Sequence, residues 1–136
     1  MEKAEIFLFT SNREEGWGAV LNEAMNSKCA VVCSHACGST PYLVCDGENG
    51  LVFESENFSD FYKKVRFLID NPKAREEISN NAYLTIKDEW NAKTACDKLI
   101  ALINEVLSGN KNPNPFNLGV CSKAEILKDN WYKTKD

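Results

Sequence analysis

Two glutamates eight residues apart, Glu15 and Glu23, enclose the stretch of this chain best suited to chemistry. Carboxylates are hydrogen-bond acceptors and suit the vicinal hydroxyls of sugars. Between them runs Gly16-Trp17-Gly18-Ala19-Val20, a glycine-containing loop that opens a helix. Trp17, Val20, Leu21, Ala24 and Met25 carry the i, i+3, i+4, i+7, i+8 spacing of an amphipathic helix. The apolar run Ile6-Phe7-Leu8-Phe9 just before them reads as a short buried strand. A strand, a glycine loop and a helix start aim unpaired backbone N–H groups, and the positive end of a helix dipole, at whatever lies beyond the strand. Such a place is a natural seat for phosphate. Ligands of open α/β sheets collect at these carboxyl strand ends. With a helix beginning near Trp17, Glu23 lies about 9 Å along its axis, at roughly 1.5 Å per residue. One carboxylate then stands at each end of a segment about as long as a diphosphate with a sugar on either side. Glu23 falls off the apolar face, so spacing alone also accommodates a solvated glutamate.

The elements around this stretch must hold it in place. Ala30-Val31-Val32 reads as a second strand, and Gly38-Ser39-Thr40 as a second loop at a carboxyl strand end, facing the first. Its small residues let backbone approach a ligand closely. Asp46-Gly47 and Asn49-Gly50 are turn dipeptides leading into a third strand at Leu51-Val52-Phe53. That patch lacks the oxygen-ligand spacing of a calcium loop. Beyond it three helices are expected. The first is capped by Ser59, with Phe61, Tyr62, Val65, Leu68 and Ile69 on one face. The second starts at Pro72 and runs to about Trp90, with Ala74, Ile78, Ala82 and Ile86 on its stripe. The third is capped by Asn91 and stopped by Gly109. Its stripe of Ala92, Ala95, Cys96, Leu99, Ile100, Ile103, Val106 and Leu107 is the cleanest in the chain. All three stripes are expected to be core. Residues 110–117 form a polar, proline-containing linker. Ser122-x-x-Glu125 reads as a capping box opening a short helix with Ile126 and Leu127. Trp131 and Tyr132 need a surface, and the sequence offers no obvious one.

At 136 residues the chain has room for one domain with a real core. Its net charge of −4, with scattered lysines, gives no footprint for nucleic acid. No stretch is long enough to span a membrane and no signal peptide is visible, so a cytoplasmic location is the default. The six cysteines include no Cys-x-x-Cys pair. Cys29, Cys33 and Cys37 with His35 invite a metal reading, but cysteines in or beside a strand usually act as small buried apolar residues, and no metal is expected. His35, the only histidine, ends the second strand, where it either lines the ligand crevice or is a plain loop residue.

The Glu-x7-Glu spacing with an interior Gly-aromatic-Gly, followed by Ala24-Met25, resembles the donor-site signature of family 4 (group 1) GT-B glycosyltransferases. In the same order, Ala30-Val31-Val32 resembles the next strand and Gly38-Ser39-Thr40-Pro41 the donor loop. Asp46-Gly47-Glu48-Asn49-Gly50-Leu51-Val52 resembles the following turn and strand. Val120-Cys121-Ser122-Lys123-Ala124 with Trp131-Tyr132 is similar to tails of bacterial polysaccharide-synthesis members. The resemblance covers nearly the whole chain. It departs at Ser39, where a second glycine is common, and at Tyr42, where a glutamate usually follows the proline. Lys28 and Ala30 also replace a glycine and a proline.

The resemblance implies an α/β fold, the distal part of a Rossmann-like GT-B C-terminal domain over residues 1–109, with a linker and short helical tail over 110–136. It implies that the N-terminal domain, in cis or as a separate chain, and the donor-diphosphate arginine and lysine lie outside this chain, which reads as a fragment or truncated frame. In the implied activity a retaining transferase moves a sugar from a UDP- or GDP-linked donor to a sugar or lipid-linked acceptor hydroxyl, with no separate cofactor. Glu15 would sit at the catalytic centre on donor-sugar hydroxyls, and Glu23 would hold the ribose hydroxyls. The N–H groups near Gly18, Ala19 and Val20 would face the leaving diphosphate, with Gly16 and Trp17 completing the loop. The alternatives are a non-catalytic nucleotide-binding half of a split enzyme and an inactive remnant. A sugar-nucleotide epimerase shares the two-domain plan but fits the tail and the glutamate spacing less well. Peripheral association with the inner face of the plasma membrane is compatible with this reading.

Overall fold

A computed structural model describes residues 3–113, 115–124 and 126–133. The chain runs β1 (Ile6–Phe9), α1 (Val20–Asn26), β2 (Ala30–Ser34), α2 (Thr40–Leu43), β3 (Leu51–Phe53), α3 (Phe58–Asp70) and α4 (Pro72–Leu84). A π-helical turn (Thr85–Glu89) and α5 (Ala92–Leu107) follow. The strands form one parallel sheet in the order β1-β2-β3, with Phe7 opposite Val31 and Cys33 opposite Val52. All three sequence-expected strands are present, and the α/β class holds.

β2 is buried throughout because both of its faces are covered, as is usual in parallel sheets, and only its last residue, Ser34, is polar. Its side chains alternate. Val31 and Cys33 join Phe9, Leu21, Ala24, Met25, Val52 and Ala82 on one face, where α1 packs. Ala30 and Val32 join Leu51, Phe53, Leu68 and Ile78 on the other, where α3 packs. α4 reaches both clusters through Ile78 and Ala82. Each fully buried valine contributes about 1.5–3 kcal/mol relative to an exposed one. Asn49 locks the turn before β3. Its amide nitrogen donates to the Leu43 carbonyl and to Thr85 Oγ1, both at 2.9 Å, and its Oδ1 accepts from the Cys45 N–H at 2.7 Å.

Several details differ from the sequence expectations. α1 begins at Val20 rather than Trp17, because Gly18 has φ +72° and cannot continue a right-handed helix. Asn57, not Ser59, caps α3, accepting the Asp60 N–H at 3.0 Å. The second helix does reach Trp90, but its end widens into the π turn, closed by the Trp90 N–H on the Thr85 carbonyl at 3.1 Å. Asn91 caps α5 as expected. The α5 stripe, however, is not core: the helix has no buried residue, and Leu99, Ile100, Ile103, Val106 and Leu107 are exposed. On α3, Tyr62 and Ile69 are likewise exposed, while Phe61, Val65 and Leu68 pack inward. No helix forms across 122–124 or 126–128, and Glu125 of the expected capping box lies outside the described residues.

The loops after β1 and β2 are pressed together at glycines. A Cβ on Gly38 would stand 1.6 Å from the Gly16 carbonyl oxygen, and the Gly38 N–H points at the Glu15 carbonyl at 3.4 Å. Beside it Ser39 is fully buried, and among the described residues its hydroxyl has no hydrogen-bond partner. These neighbours should respond oppositely in urea unfolding. Gly38→Ala should cost about 1–3 kcal/mol, because backbone must move to admit the methyl. Ser39→Ala should raise stability by about 1 kcal/mol, because it removes an unpaired buried hydroxyl. A neutral Gly38→Ala would show that the loops do not bear on each other. The thiols give a second check. Cys33 is buried and its thiol is pushed well above the ordinary range by desolvation, then by Cys37. Cys37 is pushed up to about 11, first by burial and then by the Glu15 charge. Thiolate is the reactive form, so iodoacetamide should alkylate exposed Cys96 and spare Cys33 and Cys37 until the chain is unfolded, as read by mass spectrometry.

Candidate functional site

The stretch from Glu15 to Glu23 sits at the carboxyl end of β1, as its sequence requires. Gly18 is buried against the Phe9 ring, where a Cβ would come within 2.3 Å of the ring carbon, so only glycine fits. The positive φ there turns the chain so that Ala19 becomes the helix N-cap, without a side-chain cap bond. Among the described residues the N–H groups of Gly16, Trp17, Gly18, Ala19 and Val20 have no hydrogen-bond partner. Five consecutive unsatisfied donors form a surface that favours negative charge.

Glu15 is half-buried in the loop, and its charge is felt by Cys37 across the junction with the second loop. Glu23 is exposed in the first turn of α1, about 4.5 Å up the axis from Val20 rather than the expected 9 Å. Among the described residues its side chain makes no hydrogen bond or ion pair. Trp17 leaves the helix face assigned to it. Its indole Nε1 donates to Asn22 Oδ1 at 2.9 Å, and its ring lies 6.0 Å from Tyr42 and 5.3 Å from Trp90. Val20 packs part-buried on the core. The loops of Glu15-Gly16 and Gly38 are therefore joined, while Glu23 stands apart on the helix.

A second feature lies on the other side of the β1 loop. A crevice of about 570 Å³ opens at the carboxyl ends of all three strands, lined by Asn12, Arg13, His35, Glu54, Asp129 and Tyr132 among others. Residues 15–23 do not line it. The tail that lacked a surface finds one here. Trp131 and Tyr132 pack against the α1-side cluster, with the Tyr132 ring 4.3 Å from His35. Trp131 Nε1 donates to the His35 carbonyl at 3.3 Å, and the Tyr132 hydroxyl donates to Glu54 Oε1 at 2.9 Å. Desolvation, then the Glu54 contact, pushes the Tyr132 phenol up to about 12. Hydrogen bonds from Asn57 and then Tyr132 hold the Glu54 carboxyl below its ordinary value. His35 is buried within this arrangement. Its Nδ1 accepts the Ser55 N–H at 2.8 Å, which leaves the ring proton on Nε2, 3.3 Å from Asp129 Oδ1. Arg13 pairs with the same Asp129 oxygen. Of the two readings open for His35, crevice lining is the one observed.

Arg13, Glu54 and Asp129 escaped the sequence reading. Only the position of Arg13 just after a strand could have flagged one of them. Asp129 reaches Arg13 across 116 residues, beyond any local spacing signal. Among the described residues no group of three or more His, Cys, Asp or Glu is placed to hold a metal ion, and no helix is long and apolar enough to cross a membrane.

Comparison with known proteins sets this geometry in a lineage. Residues 1–85 match the family described as Glycosyl transferases group 1. Over 103 residues the chain is 32% identical to N-acetylgalactosamine-N,N'-diacetylbacillosaminyl-diphospho-undecaprenol 4-alpha-N-acetylgalactosaminyltransferase of Campylobacter jejuni, covering 76% of this chain and 28% of that protein. Over 102 residues it is 26% identical to the capsular polysaccharide biosynthesis glycosyltransferase CapM of Staphylococcus aureus, covering 75% of this chain and 26% of that one. The chain thus spans little more than a quarter of the length of these relatives. Among solved structures it resembles the C-terminal domain of the group 1 glycosyl transferase LpcC of Francisella tularensis, with a TM-score of 0.59 and 32% identity over 65% of this chain and 44% of that one. The fold also matches Anabaena HepE, solved in complex with UDP, with a TM-score of 0.62 and 23% identity over 79% of this chain and 28% of that one. With the family matched over more than half of its residues, this chain belongs to the group 1 glycosyltransferases.

Proposed function

We propose that this chain is the donor-binding part of a retaining glycosyltransferase that moves a sugar from a nucleotide diphosphate sugar to an acceptor hydroxyl, in polysaccharide or glycolipid synthesis. The observation that carries the reading is the run of N–H groups from Gly16 to Val20 at the carboxyl end of β1, unpaired among the described residues and beside the Gly38 loop. Donors fixed in this way can stabilise charge that grows on a leaving diphosphate, often the largest catalytic contribution. Glu15 is assigned to the donor-sugar hydroxyls and Glu23 to the ribose hydroxyls. The later start of α1 shortens the span between diphosphate and ribose contacts to about one helical turn. UDP in the Anabaena structure supports a nucleotide diphosphate as the ligand class. Neither a metal nor a separate cofactor is required, because backbone dipoles take the charge.

The acceptor is assigned to a sugar or lipid-linked sugar, in keeping with the diphospho-undecaprenol in the name of the Campylobacter relative. The acceptor side of the cleft is assigned to a domain beyond this segment, in cis or as a separate chain, and the enzyme to the cytoplasm at the inner face of the membrane.

A thermal melt of the chain with and without UDP and GDP tests the reading, since a ligand that binds only the folded state raises its midpoint by mass action. One of the two nucleotides should raise it. Glu23→Ala should weaken that nucleotide by about 1.5–3 kcal/mol, roughly tenfold to a hundredfold. A midpoint indifferent to both nucleotides, or a Glu23→Ala chain with parental affinity, would remove the assignment.

A further inference from the structure

The crevice beside the β1 loop already holds an anion. One carboxylate oxygen of Asp129 meets the Arg13 guanidinium from the loop after β1 and the His35 Nε2–H from the end of β2. His35 is fixed as a donor by its neighbours: the Ser55 N–H occupies Nδ1 at 2.8 Å, and the Tyr132 ring lies against the imidazole. The His35 donor is therefore preset, with a side chain only 7% exposed, whereas the Arg13 side chain beside it is 68% exposed. The occupant of the pair is not preset. The Asp129 side chain is 67% exposed and comes from the tail, which Trp131 and Tyr132 anchor independently through the His35 carbonyl and Glu54. The carboxylate can thus rotate away without releasing the tail. Exposed ion pairs contribute little, so displacing this one is inexpensive.

We propose that Arg13 and His35 form an anion subsite in which Asp129 is a resident stand-in, displaced when a phosphate or carboxylate group of a ligand enters the crevice. The geometry is that of a charge-assisted two-donor contact at a carboxyl strand end. The incoming anion adds its charge to the crevice, and the Asp129 carboxylate, already 67% exposed, turns to solvent as it enters. Glu54 does not oppose it, because Tyr132 and Lys133, whose Nζ is 3.6 Å away, engage its carboxylate. Glu14 and Glu56 also line the crevice, and they restrict the ligand to a single anionic group rather than an extended polyanion. The subsite lies outside residues 15–23, so it adds an anionic group to the ligand chemistry of this domain and does not depend on the assignments of Glu15 and Glu23.

A resident competitor lowers apparent affinity by the fraction of time it occupies the site. His35 is the only histidine, so its ring resonances report on the subsite without assignment. Inorganic phosphate, acetate and UDP would each be titrated by NMR into the parent chain, Asp129→Asn and the double variant Arg13→Ala/Asp129→Asn. The expected result is a phosphate or acetate midpoint at least about threefold lower in Asp129→Asn than in the parent. Arg13→Ala on top should abolish the gain. The anion with the larger shift identifies the ligand group as phosphoryl or carboxylate, and a UDP response that follows phosphate places a nucleotide phosphate there. The Trp131 indole N–H resonance should stay in place in Asp129→Asn, separating loss of the resident charge from loss of the tail. Equal midpoints for parent and Asp129→Asn with both small anions, or a gain that survives Arg13→Ala, would overturn the proposal. Nucleotide binding that depends on Glu23 would remain a separate result.

Discussion

Burial of β2 on both faces is the constraint from which the other features follow. Five consecutive residues, Ala30 to Ser34, are essentially without solvent contact, so other elements must cover both sides, and the strands on either side of β2 run parallel. Parallel strands bring all their carboxyl ends to one edge. The loops after Phe9, Ser34 and Phe53 therefore lie along that edge, and the residues assigned chemistry lie on those loops, on the first turn of α1 or on the tail that reaches them. Glycine at 38 is a consequence of the same convergence. Two loops from adjacent strands only 4.7–4.9 Å apart, a spacing of roughly one backbone width, leave no room for a side chain between them.

That edge is divided. On one side of the β1 loop lies the run of unpaired N–H groups with Glu15 and, along α1, Glu23. On the other lies the polar crevice with Arg13, His35 and the returning tail. The first draws its N–H groups from backbone, turned by Gly18, and takes side chains only from Glu15 and Glu23. The second is made of side chains drawn from both ends of the chain.

What the sequence disclosed follows from how local each signal is. The strands, the glycine loops at their carboxyl ends, the Asn91 cap and the buried character of Cys33 depend on neighbours within a few residues, and these were legible. The start of α1 was misplaced because Trp17 fits the apolar period, while Gly18 beside Phe9 imposes a left-handed turn that periodicity does not register. The α5 stripe has flawless spacing, yet periodicity states only that a face is apolar, never what covers it. Tyr132 on Glu54 and Asp129 on Arg13 join positions 78 and 116 residues apart, which only the folded chain brings together.

The exposed α5 stripe has a consequence for how this chain comes apart. The clusters around β2 bind β1, α1, β3, α3 and α4 into one cooperative body, but α5 places no fully buried side chain in either cluster. An isolated helix of its length is marginal in water. Its backbone amides are therefore governed by local opening, at a free energy well below that which guards Val31 and Val32. Native-state hydrogen exchange would divide the molecule into two levels of protection, and the boundary between them would fall at the π turn.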